Sequence, residues 1–61
     1  MPDVEMFYRV VLTYDGRSRN YWCETHFDTV ILFDALYRGA KFQTIEVYDN
    51  RTQERVQMIG A

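Results

Sequence analysis

Apolar and polar side chains alternate with a period of two near the start of the chain. Residues 6–14 carry apolar or aromatic side chains at every second position on one side. These are Tyr8, Val10 and Leu12. The polar stretch 15–20 contains Asp15-Gly16, which is typical of a turn, and residues 20–25 then predict a second strand. Together the two strands form a predicted hairpin.

The pattern then changes to one typical of a helix. Asp28 is predicted to cap the helix start, and Phe27 before it is predicted to pack on Leu32 one turn later. We expect the helix to run to about Arg38, where a cation suits the helix dipole. Gly39 is then expected to end it in the left-handed backbone region.

Alternation returns in the last third of the chain. Residues 42–49 place Ile45 and Val47 on one face, and residues 49–52 predict a turn. Residues 53–59 predict a fourth strand that contributes Val56 and Met58 to the core face.

This order of elements predicts one α+β domain over residues 1–61 with a ββαββ layout. We expect a four-stranded antiparallel sheet in the spatial order 2-1-3-4, with the single helix packed on one face. The predicted core comprises Tyr8, Val10, Leu12, Tyr21, Cys23, Phe27, Leu32, Phe33, Leu36, Ile45, Val47, Val56 and Met58.

Length and charge narrow the possibilities further. A chain of 61 residues buries little surface and is expected to be only marginally stable. Its single cysteine, Cys23, allows no internal disulfide, so stabilisation by self-association is one of the possibilities that we consider. The net charge of −2 does not favour general attraction to polyanions. The sequence lacks a leader-like or membrane-spanning apolar run, which predicts a complete cytoplasmic gene product without a membrane partner.

The predicted helix is apolar around most of its circumference. Packing on a small sheet buries one stripe, so Val30, Ile31 and Tyr37 flank that stripe and some of them should stay exposed. These flanks either tuck under the strand ends or form a surface for a second copy or another partner.

The sheet face away from the helix combines aromatic residues with arginine, which is the composition of interaction hot spots. The candidate partner-binding residues are Arg9, Trp22, Tyr48 and Arg55 on this face, with Arg17 and Arg19 in the adjoining loop. The alternative is a solvated face stabilised by pairs of side chains on neighbouring strands.

Catalytic and metal-binding patterns are weak. Cys23 and His26 lie three residues apart, which would place them on opposite faces of a strand, and Cys23 is expected to be a core residue. Cys23 and His26 also resemble half a zinc site, but a structural site needs four ligands. We therefore expect no enzymatic activity, no cofactor and no metal.

In size and element order the chain resembles small proteins of phages and mobile elements, several of which are anti-CRISPR inhibitors. The resemblance lies in the strand at residues 7–11, the helix start at 27–29 and the strand at 44–49. It implies a compact, non-catalytic protein that covers a surface of a larger host defence complex.

Two other interpretations stay open. A single-stranded nucleic-acid-binding protein could stack bases on the same aromatic face, although Glu24 and Glu46 there would repel phosphates. A structural homodimer could instead form through the flanking helix residues.

Overall fold

The computed structural model describes residues 7–60 and has the predicted order of elements. The elements are β1 (Tyr8–Tyr14), β2 (Arg17–Cys23), α1 (His26–Gly39), β3 (Thr44–Asp49) and β4 (Glu54–Gly60). The N-terminal end of the first predicted strand, at Met6, lies outside the described residues. Within residues 7–60 no helix is both long and apolar enough to cross a membrane.

The four strands form one antiparallel sheet in the order β2-β1-β3-β4, which confirms the predicted α+β fold and strand order. The β1–β2 hairpin forms one half and the β3–β4 hairpin the other. The chain crosses the sheet in α1 and returns beside β1. The backbone of α1 lies close to β1, β2 and β3, and β4 is left farther from the helix.

The first hairpin has a tighter turn than the sequence suggests. Asp15 and Gly16 have φ angles of 53° and 74°, and Tyr14 pairs directly with Arg17. A two-residue turn with both residues in the left-handed region matches the twist of an antiparallel pair. The second strand therefore begins at Arg17 rather than at Asn20, and the prediction of a polar loop over residues 15–20 is wrong.

The helix also begins earlier than predicted. Thr25 is the N-cap, and its hydroxyl oxygen accepts a 3.1 Å hydrogen bond from the Asp28 N–H. Asp28 lies in the first turn, where its charge suits the dipole, rather than at the cap. At the other end, Gly39 is the last residue of the helix, and its φ is not positive, so it does not adopt the predicted left-handed conformation. Ala40 is the C-cap and has an extended conformation.

The core is small and lies between α1 and the middle of the sheet. Its buried apolar residues are Val10, Leu12, Cys23, Ile45 and Val47. Partly buried residues pack around them, namely Tyr8, Tyr21, Leu32, Phe33, Leu36, Ala40, Phe42 and Ile59. Thr29, which is polar, is also buried, and its hydroxyl is satisfied because it donates a 2.6 Å hydrogen bond to the His26 carbonyl.

Three predicted core residues are exposed. Phe27 is 71% exposed because the helix begins before it, which turns its side chain away from the sheet. Val56 lies at a bulge, since Val47 pairs with Gln57 and Tyr48 pairs with Arg55.

Beyond this bulge Met58 pairs with Glu46 and Ile59 pairs with Ile45. The register therefore places Met58 on the open face and Ile59 on the helix side, which reverses the predicted alternation of β4.

Gly60 offers a test of the sheet register. Its φ is 110°, and a Cβ atom there would overlap the Gln43 carbonyl oxygen. We expect Gly60→Ala to lower the free energy of unfolding by about 1–3 kcal/mol, through backbone strain and displacement of the chain before β3.

Gly39→Ala is the matched control, because a Cβ there meets no atom within 4 Å. It should leave the free energy of unfolding unchanged or raise it by up to about 1 kcal/mol, since alanine favours a helix. Urea titrations of both variants make the measurement, and equal stability of the two would contradict this account of Gly60.

Candidate functional site

A row of four side chains crosses the open face of the sheet, which is the face away from α1. Arg9 in β1 pairs with Trp22 in β2 on one side and with Tyr48 in β3 on the other. Tyr48 pairs in turn with Arg55 in β4. The register thus brings together four of the predicted site residues, and we call this set the open-face row.

Arg9 is the centre of the open-face row. Its guanidinium carbon lies 4.7 Å from the centre of the Tyr48 ring and 5.9 Å from that of Trp22. These are distances at which a guanidinium and an aromatic ring attract each other. The Arg9 Nε is buried, and no acceptor in the described part of the chain binds it.

Glu46 connects Tyr48 and Arg55, the two residues at the β4 end of the open-face row. Its Oε2 accepts a hydrogen bond from the Tyr48 hydroxyl at 3.2 Å and another from Arg55 Nη1 at 3.1 Å. The Glu46 side chain is 18% exposed. Because a cation pairs with this carboxylate, its expected repulsion of phosphates is weaker than the sequence suggests.

A second arginine stack extends the open-face row beyond the start of β1. The guanidinium carbon of Arg51 lies 4.7 Å from the centre of the Phe7 ring. Asp49 holds the turn below it, because its Oδ1 accepts a 2.9 Å hydrogen bond from the Arg51 N–H. That bond, with further contacts from Arg51 and Thr52, lowers the pKa of the Asp49 carboxyl from its ordinary value, despite an opposing effect of burial.

The sequence did not predict this stack. Phe7 precedes the strand and Arg51 lies in a turn, so periodicity gives no sign that they meet. Only the pairing of β1 with β3 brings the start of one to the end of the other.

Arg17 and Arg19 do not belong to this surface. Both lie in β2, and Arg19 pairs with the core residue Leu12, so their side chains occupy the helix side of the sheet. The prediction that they lie in the loop of the first hairpin is wrong, because the two-residue turn places both of them in β2.

The predicted self-association residues are exposed on α1. Val30, Ile31 and Tyr37 are each slightly more than half exposed. Val30 and Tyr37 also line a cavity of about 280 Å³ between α1 and β4, together with Phe33, Asp34, Gln57 and Ile59. The flanks of the helix therefore do not tuck under the strand ends.

The Cys23 thiol is buried in the core, and burial raises its pKa, with a smaller contribution from the Asp28 carboxylate. His26 lies at the start of α1, where its ring packs edge-on against Tyr8 at 6.0 Å between centroids. Within residues 7–60 no three His, Cys, Asp or Glu side chains form a group that could hold a metal ion.

Compared with protein-family models, curated proteins and solved structures, the chain gives no match.

The environment of Cys23 predicts low reactivity. A buried thiol with a raised pKa contains little thiolate at neutral pH, and thiolate is the nucleophile. We expect alkylation of the folded protein by iodoacetamide at pH 8 to be about tenfold or more slower than in urea. Mass spectrometry against time measures both rates, and equal rates would show that the thiol is accessible in the folded chain.

Proposed function

We propose that this protein is a non-enzymatic protein-binding module that docks through the open-face row. The observation that carries the proposal is the stacking of Arg9 between Trp22 and Tyr48 on a sheet face that no helix among the described residues covers. Tryptophan, tyrosine and arginine supply most of the binding free energy at protein interfaces.

The exposure of the row supports this role. Trp22 is 56% exposed and remains available to a partner, although Arg9 orders one side of its ring. The neighbouring Met58 is 42% exposed and adds a flexible apolar side chain. Because side chains on neighbouring strands already hold the arginine in place, less side-chain entropy is lost on binding.

The charges of the row favour a partner surface with an acidic group. Arg55 already pairs with Glu46, whereas Arg9 has no carboxylate within ion-pair distance among residues 7–60. A carboxylate on the partner would satisfy Arg9 and strengthen the contact, since charge-assisted hydrogen bonds to arginine are strong.

Inhibition of a larger host complex, which the resemblance in size and element order implies, needs only this docking. A small protein that covers a functional surface blocks it without chemistry. We therefore propose that the binding module acts as a phage-type inhibitor of such a complex.

The double variant Trp22→Ala/Tyr48→Ala tests the surface. Affinity capture from cells that encode the protein, followed by mass spectrometry, should recover a partner with the unmodified chain. The variant should bind that partner about 30-fold or more weakly, because the truncation of even one hot-spot residue costs about 2 kcal/mol or more. Circular dichroism and urea titration check that the variant still folds.

Phe27→Ala/Tyr37→Ala is the matched control, since it also removes two exposed aromatic rings, but from α1. It should keep the affinity for the partner. Loss of partner binding in this variant alone would place the interface on the helix flank.

Two further results would favour the alternatives. If the unmodified chain is a dimer by sedimentation equilibrium and Phe27→Ala/Tyr37→Ala is a monomer, the homodimer is favoured. If the unmodified chain binds single-stranded oligonucleotides and Trp22→Ala/Tyr48→Ala does not, the nucleic-acid-binding protein is favoured.

A further inference from the structure

A cavity of about 370 Å³ lies on the helix side of the sheet, away from the open-face row. Ligand pockets commonly measure about 300–1,000 Å³, so this one suits a small molecule. Its lining comprises Leu12, Tyr14, Asp15, Arg17, Arg19, Tyr21, Ala40 and Lys41.

Positions on the helix side of a sheet normally carry apolar side chains, but β2 departs from this along its length. Cys23 is buried and Tyr21 is half-buried, whereas Arg19 and Arg17 are exposed. The helix ends at Gly39, and beyond its end the sheet surface becomes a cavity with two arginines along one side.

The opposite side of the cavity is held in place. The Gln43 N–H donates to the Thr13 carbonyl at 2.7 Å, and the Asp15 N–H donates to Gln43 Oε1 at 3.1 Å. These bonds tie the segment that carries Ala40 and Lys41 to the first hairpin. The cavity is therefore bounded by two connected parts of the fold.

Among residues 7–60, three cations and one carboxylate, Asp15, line this cavity, in a chain whose net charge is −2. Among residues 7–60, no carboxylate lies within ion-pair distance of Arg17, Arg19 or Lys41. Like charges gathered in a cleft repel one another and concentrate a positive potential there. A bound anion would relieve that repulsion.

We propose that this cavity binds the phosphate of a nucleotide. Arginine suits phosphate because its planar group donates two parallel hydrogen bonds, and Arg17 and Arg19 project from the same face of one strand. Tyr14 and Tyr21 supply aromatic surface for the base, and Leu12 and Ala40 supply an apolar one. The ligand is either a free nucleotide or a nucleotide within a single-stranded nucleic acid.

The three cations also have ordinary structural roles, which are the alternative explanation of their positions. Lys41 follows a helix C-terminus, where a positive charge is favourable. Charged side chains on an edge strand such as β2 discourage pairing with other chains. Neither role requires the charges to converge on a cavity beside two tyrosines, and only nucleotide binding predicts a saturable ligand.

Titration of the full chain by two-dimensional amide NMR at low salt tests the proposal. The probes are AMP, inorganic phosphate and a short single-stranded oligonucleotide. We expect AMP or the oligonucleotide to shift the amide signals of residues 12–21 and 40–41 saturably, and either to bind more tightly than inorganic phosphate. Saturation by AMP identifies a free nucleotide as the source, and saturation by the oligonucleotide alone identifies a nucleic acid.

Arg19→Gln should weaken this binding about tenfold, the usual effect of one charge-assisted contact. The matched control is Arg38→Gln, which removes one positive charge from an exposed position on α1, where it pairs with Asp34. It should change the affinity less than twofold.

Three results would overturn the proposal. They are no saturable shift with any probe, equal effects of the two variants, and shifts confined to the open-face row. Because Arg19 lies outside that row, Arg19→Gln should retain the protein partner, which separates this test from that of the proposed function.

Discussion

The pairing of β1 on both of its edges is the interaction on which the rest of the structure depends. This strand lies between β2 and β3, and each of its residues from Tyr8 to Thr13 pairs with a neighbour on both sides. Strict alternation then sends Val10 and Leu12 to the helix and Arg9 to the open face. A slip of one residue would bury the arginine and expose the core, so the hydrophobic free energy of the core also positions the candidate site.

The small core leaves much apolar surface exposed, because a single helix covers only part of the sheet. One helix above four strands covers the middle of the sheet but not the outer strand β4. Val56 and Met58 are exposed there, and Phe27, Val30 and Ile31 are exposed on α1. Surface of this kind is common in proteins that bind other chains.

The two faces of the sheet differ in their chemistry. On the open face, Arg9 is stacked on aromatic rings and Arg55 is paired with Glu46, so neighbouring side chains hold both arginines in place. On the helix side, Arg17 and Arg19 stand without carboxylate partners among the described residues, at the edge of a cavity. Aromatic surfaces that carry arginine suit protein partners, whereas cationic cavities suit small anions, so the two proposed binding sites lie on opposite faces of one sheet.

The sequence by itself determined the order of elements, the strand order and most of the core. Period-two alternation and the turn signals are local properties, and the ββαββ order leaves few low-strain topologies. The central row of Trp22, Arg9, Tyr48 and Arg55 was also predictable, because alternation alone places each member on the open face.

Only the tertiary structure decided the rest. The bulge at Val56 reversed the predicted faces of Gln57, Met58 and Ile59 in β4. The two-residue turn at Asp15 moved Arg17 and Arg19 from a loop to the helix side. The stacking of Arg51 on Phe7 likewise came from pairing between distant segments. These features depend on hydrogen-bond register between strands, and a shift of one residue in register changes the face of a side chain without any change in local sequence pattern.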